Sequence, residues 1–132
     1  GGIANISANL HDGYVAFDIC PANRVLNMLI AETGAAFDDG GQLAATGFVR
    51  DEVLQKMNQL EYYSLPFPKS LANDFGVEAV YPILKASNLS TADAGGGACR
   101  KSRQLRRGDH PDLLSRRACI TLCDYPRLLR IF

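Results

Sequence analysis

No apolar run in this sequence approaches the roughly 20 residues that a membrane-spanning helix requires, which excludes such a helix. The chain does not open on a basic segment followed by an apolar one, so no secretory signal is read. An initiator Met is absent too. The chain begins at Gly1 in what reads as mid-strand, which predicts a cut edge and not a natural start. Cysteine is sparse: four residues, Cys20, Cys99, Cys119 and Cys123, at irregular spacing. Without a secretory signal that pattern predicts reduced thiols in a cytoplasmic protein. Cys119, Cys123 and His110 fall short of the four ligands of a structural zinc site, so no metal site is expected of them. No internal repeat is present.

What remains is ordinary for a globular chain. Its 132 residues suffice for one domain with a modest core. Apolar residues make up 47% and charged residues 21%. The formal net charge of zero conceals an asymmetry. Residues 1–94 carry five basic and eleven acidic residues, net −6. Residues 95–132 carry nine basic and three acidic residues, net +6. Two halves of opposite sign imply either a basic interaction tail or two pieces of different origin.

Along the chain, Ile3 to Leu10 is rich in β-formers, and Asp12-Gly13 is a tight-turn signal. Tyr14 to Asp18 alternates, with Tyr14, Ala16 and Asp18 on one face and Val15 and Phe17 on the other. The spacing predicts a β-hairpin. Pro21 suits the first turn of a helix, where its missing N–H costs nothing. Val25, Leu26, Met28, Leu29 and Ile30 then predict an apolar helix face, ended by Gly34 as a left-handed cap. A loop at Asp38–Gly41 precedes a short helix over Gln42–Thr46, closed by Gly47. Val53, Leu54, Met57 and Leu60 predict a helix over about 50–60. Pro66 and Pro68 hold Ser64–Ser70 extended. A further helix is expected over about 72–86, broken near Pro82. Ser90 and Asp93 read as a capping box. The glycines at 95–97 and the Arg-rich run behind them predict that the helix so announced does not form.

Gly1 to Asn23 carries the chemistry. A hairpin delivers the Asp18 carboxylate to a strand end, beside a small-residue turn and a helix N-terminus. Turn and helix N–H groups can hold an anion, and a carboxylate there can serve as a general base or bond a hydroxyl. Gly1 and Gly2 let a ligand approach the backbone. By spacing alone, Asp18 reads equally as a loop or helix-capping carboxylate.

The residues themselves narrow this. GGIANIS, FDICPANRVLN, FDDGGQLAATG and PFPKS follow one another in order from Gly1 to about Asp93. They resemble the anhydro-N-acetylmuramic acid kinase family, usually written NIGGIANI, GFDTGPGN, YDKDG with a later A-x-x-G, and PPKSTGRE. Four ordered motifs with matching gaps are a specific signal. The resemblance implies an α/β fold: part of a ribonuclease-H-like lobe of the actin–hexokinase superfamily, a β-hairpin followed by a mostly helical region. It implies an ATP- and Mg²⁺-dependent cytoplasmic sugar kinase. That enzyme opens the 1,6-anhydro ring of anhydro-N-acetylmuramic acid with water and phosphorylates O6, in peptidoglycan recycling.

Carried over by motif, Asp18 is the expected general base toward the attacking water. Pro21 and Asn23 would shape the sugar pocket. Gly1, Gly2 and Asn5 match the glycine-rich strand beside the ATP phosphates. Lys69 and Ser70 match the PPKS loop as structural or substrate-lining residues. The expected partners are a small sugar and ATP, with no membrane and no nucleic acid; homodimerisation is common in that family.

The sequence departs from the pattern in places. Ile19-Cys20 stands where the family has Thr-Gly, and Ala22 where it has Gly, which removes a hydroxyl from the pocket. After Ser70 the family's Arg is lost and its acid shortened. The family's GTSxDGxD phosphate loop lies upstream of anything in these residues, so the 132 residues are expected to be inactive alone. Residues 1–94 read as a piece of the kinase's C-terminal lobe. Residues 95–132 read as an atypical basic tail, non-native or frameshifted. Two alternatives stay open: a non-enzymatic module whose basic tail contacts nucleic acid, and another sugar kinase of the same superfamily.

Overall fold

A computed structural model describes residues 2–10, 13–98 and 119–121. Strand β1, Ile3–Leu10, pairs antiparallel with β2, Gly13–Pro21, and the expected hairpin is formed. Its turn residues, His11 and Asp12, lie outside the described residues. A third strand, β3, Cys119–Thr121, pairs with Asn5–Ser7, giving the order β2-β1-β3. Among the described strands β2 therefore lies at the edge.

The alternation expected along β2 holds as far as Asp18 and then breaks. Ala4 lies opposite Cys20, but Asn5 lies opposite Asp18, so Ile19 is an extra residue on β2. Such a bulge shifts the side-chain phase by one. Both Ile19 and Cys20 are consequently buried, together with Ala4, Ile6 and Ala22, under one face of the sheet. Phe17 and Tyr63 close the rim of this small cluster.

Pro21 is not in the first turn of a helix. It ends β2 opposite Ile3, and α1, Asn23–Ala31, starts two residues later behind Ala22. An edge strand tolerates a residue without an N–H, so the strand could run on to the proline. Gly34 takes a positive φ of 86° just beyond α1, as expected of a terminating glycine.

The expected short helix forms as α2, Gln42–Thr46, and the next as α3, Asp51–Asn58. Asp38 sets the entry to α2: its two carboxylate oxygens accept from the N–H groups of Leu43 and Ala44, each at 2.9 Å. The helix expected over 72–86 is in two registers. Gly76–Val80 is a π-helical turn that runs directly into α4, Tyr81–Ala86. Pro82 sits in the first turn of α4, where it needs no donor; the wider π turn before it takes up the change that a break would otherwise supply.

Residues 91–98 are helical (α5), which corrects the expectation that this helix fails to form. Ser90 Oγ accepts from Asp93 N–H at 3.1 Å, the first half of a capping box. The second half is absent, because the Asp93 carboxylate reaches across to Phe48 N–H (2.7 Å) and the Arg50 guanidinium (3.2 Å). A helical glycine costs about 1 kcal/mol relative to alanine. Here that cost is met by tertiary contact. Ala94 enters the main core with Val25, Leu29, Val53, Leu54, Met57, Val80 and Leu84, and Ala98 packs on its edge. Residues 99–118 and 122–132, and most of the basic tail with them, lie outside the described residues.

The main core thus unites α1, α3, α4 and α5, and the smaller cluster lies under the sheet. The two are joined at Gly76. A Cβ there would stand 2.9 Å from both Pro21 Cβ and Val25 Cγ2, so only glycine lets the π turn lie against the end of β2.

Candidate functional site

Asp18 stands at the point where these features meet. The bulge follows it, and across the sheet its neighbour is Asn5. In an edge strand a residue's N–H and C=O point together, either to the partner strand or outward. For Asp18 they point outward, and the segment over residues 62–71 takes both. Asp18 N–H donates to Lys69 C=O at 3.0 Å. The Tyr62 hydroxyl donates to Asp18 C=O at 2.8 Å. The side chain is held as well: Leu71 N–H donates to Asp18 Oδ2 at 2.8 Å. No described residue donates a hydrogen bond to Oδ1. The carboxylate is therefore fixed through one oxygen.

The segment that grips Asp18 is itself ordered by polar and aromatic contacts. After the 3₁₀ turn Glu61–Ser64 the chain passes through a cis Phe67–Pro68 bond. Lys69 Nζ donates to Tyr62 C=O at 2.9 Å and Leu65 C=O at 3.1 Å, and lies 4.7 Å from the Tyr62 ring centroid. Tyr62 is buried, 7% exposed, with ring centroids of Tyr63 and Phe75 at 5.6 and 5.4 Å. Burial, then the nearby Asp18 carboxylate and Cys20, push the Tyr62 hydroxyl well above the ordinary tyrosine range. It stays protonated and remains a donor. Phe67 stacks on Phe17 at 5.4 Å, pinning the loop to the opposite face of β2.

The other expected residues are arranged around this centre. Asn5 is exposed and opposite Asp18. Gly2 is exposed, and its carbonyl accepts from Ala22 N–H at 2.9 Å, tying the start of β1 to the turn before α1. A Cβ on Gly2 would meet only Arg24 Cβ, at an ordinary 3.4 Å. Gly1 lies outside the described residues. Pro21 packs on Gly76. Asn23 opens α1, and its Oδ1 is buried with no hydrogen-bond partner among the described residues. A buried acceptor of that kind is costly unless something else satisfies it.

Two residues of consequence carried no site signal in the sequence. Tyr62 and Leu71 lie 44 and 53 positions from Asp18. A main-chain N–H and a tyrosine between two apolar runs leave no mark that spacing could reveal.

Gly2 and Asn5 are both exposed. A divalent cation finds no set of three carboxylate, histidine or cysteine ligands among the described residues. The described residues also form no helix long and apolar enough to cross a membrane.

Comparison with known proteins agrees with the motif order. A family model described as Anhydro-N-acetylmuramic acid kinase matches residues 1–90. Relatives bearing that name include one from Jannaschia sp. (strain CCS1), numbered 2, that is 39% identical over 97 residues, covering 71% of this chain and 26% of the relative. One from Saccharophagus degradans is 36% identical over 92 residues, covering 67% of this chain and 25% of the relative. One from Idiomarina loihiensis is 31% identical over 97 residues, covering 70% and 26%. The chain spans about a quarter of the length of the curated relatives it matches.

Proposed function

Because the chain belongs to the anhydro-N-acetylmuramic acid kinase family, we propose that it supplies the general-base wall of a sugar kinase acting on anhydro-N-acetylmuramic acid. In this reading Asp18 takes a proton from a water molecule, and the water oxygen bonds to the anomeric carbon. The bond from that carbon to O6 breaks, and O6 keeps the electron pair. ATP, when bound, supplies the phosphoryl group that O6 accepts, giving N-acetylmuramic acid 6-phosphate. The role of this chain's residues is to hold the base and shape one side of the sugar pocket.

The observation that carries the reading is the state of Asp18. One oxygen is fixed by Leu71 N–H and the other receives no hydrogen bond from a described residue. A purely structural carboxylate would be expected to use both, as Asp38 does at α2. Asn23, with its buried unpaired Oδ1, and the half-buried Pro21 stand as the sugar-side residues. By motif, Gly1, Gly2 and Asn5 are assigned to the side of the ATP phosphates. The wider role is recycling of cell-wall sugar in the cytoplasm. Residues 1–94 act as a piece of the C-terminal lobe, and the 132 residues alone do not turn over. Residues 95–132 stand as an atypical basic tail whose first residues, 95–98, continue α5 against the core.

Titration of anhydro-N-acetylmuramic acid into the ¹⁵N-labelled chain tests this reading. The amide signals of Asp18, Asn23 and Leu71 are expected to shift together, and N-acetylglucosamine is expected to leave them in place. Signals that ignore the anhydro sugar, or ATP-dependent turnover by the 132 residues alone, would each refute a part of it.

A further inference from the structure

We propose that Tyr62 and Lys69 are positioning residues for Asp18, forming a brace along the outer edge of β2, where no described strand pairs. The inference rests on the sugar-kinase reading for what the brace is for, but its geometry stands apart from it. Edge strands expose unpaired main-chain groups, and proteins cover them. Here the cover is concentrated at one residue. Asp18 makes three hydrogen bonds with a ten-residue segment: its N–H donates to Lys69 C=O, its C=O accepts from the Tyr62 hydroxyl, and its Oδ2 accepts from Leu71 N–H.

The two side chains act on Asp18 by different routes. Tyr62 reaches the Asp18 carbonyl directly, from within a packed group of three aromatic rings. Lys69 holds the segment closed. Its ammonium bonds the carbonyls of Tyr62 and Leu65 and lies over the Tyr62 ring, so positions 62 and 69 cannot separate. Closing that loop brings Lys69 C=O and Leu71 N–H to the edge of β2 at the same height. A base that must meet a water and an anomeric carbon in line gains from being held in place before the substrate arrives. The lysine of the PFPKS stretch thus serves the site through its neighbours.

Amide hydrogen exchange on the labelled 132-residue chain tests the brace. Tyr62→Phe removes one hydroxyl and leaves the ring packing. Exchange at Leu71 is expected to speed at least tenfold, while Leu84 in the main core changes by less than threefold. A role confined to general stability would move both amides alike. Lys69→Met keeps the apolar stem and removes the ammonium, and the same Leu71-to-Leu84 ratio is expected to rise. It also serves should Tyr62→Phe fail to fold. A ratio unchanged from the parent chain in either folded variant overturns the brace. The sugar reading is judged separately on the parent chain. If the Asp18 signals ignore anhydro-N-acetylmuramic acid there, that reading falls, whatever the exchange ratio shows.

Discussion

Replacing Gly47 by alanine strikes the contact that secures α5. A Cβ at this position would lie 1.9 Å from Ala92 O, 2.3 Å from Ala92 C and 2.7 Å from Asp93 N. All three are backbone atoms, so no side chain can swing aside. Relief requires the start of α5 to retreat by more than 1 Å from the segment over 47–50, by the usual limits of van der Waals contact. That retreat stretches the 2.7 Å bond from Phe48 N–H to Asp93 and draws Ala94 from the core. Overpacking of this kind costs about 1–3 kcal/mol. The expected loss for Gly47→Ala is therefore about 1–3 kcal/mol, a large share of the roughly 5–15 kcal/mol typical of a domain. Urea unfolding followed by far-ultraviolet circular dichroism measures it. Gly97→Ala is the control: its Cβ would meet nothing within 4 Å, and helix propensity predicts a gain of about 0.5–1 kcal/mol. A loss below about 1 kcal/mol for Gly47→Ala would refute the close crossing.

Other perturbations follow from the core and from charge. Leu84 is 2% exposed at the centre of the main core, so Leu84→Ala should cost about 2–5 kcal/mol in the same assay. The Phe48 N–H bond, together with Arg50, holds the Asp93 carboxyl below the usual carboxylate range, against the opposing effect of burial. A depressed folded-state value means the contribution is present above the ordinary aspartate range and is lost as pH falls through the lower folded value. Asp93→Asn should therefore flatten the acid limb of the stability curve below about pH 4 and change little at pH 7 in slope. An unchanged acid limb would show that Asp93 contributes nothing to it.

The sequence made the hairpin legible, because Asp12-Gly13 separates two β-rich runs, and it marked α1 and α3 through helical apolar spacing. The four ordered motifs led to the family. The details of the surroundings of Asp18 were hidden for physical reasons. A bulge at Ile19 costs one residue of register and leaves no compositional trace, yet it buries Ile19 and Cys20 together. The contacts from Tyr62 and Leu71 are long-range and partly main-chain. Pro21 and the glycines of α5 show local preference overridden by context: an open sheet edge tolerated the proline, and burial of Ala94 outweighed three helix-weakening residues. The capping box at Ser90 was half right, since the Asp93 carboxylate found better donors at Phe48 and Arg50 than the backbone of its own cap.

The most direct test of the central claim places residues 1–93 in the corresponding segment of the Jannaschia relative and measures phosphorylation of anhydro-N-acetylmuramic acid. The account predicts an active chimera. Asp18→Asn keeps an acceptor for Leu71 N–H but removes the base, so kcat should fall about 10²–10⁴-fold with KM little changed. An active chimera whose Asp18→Asn variant turns over within tenfold of its parent would contradict the assignment of Asp18 as the base.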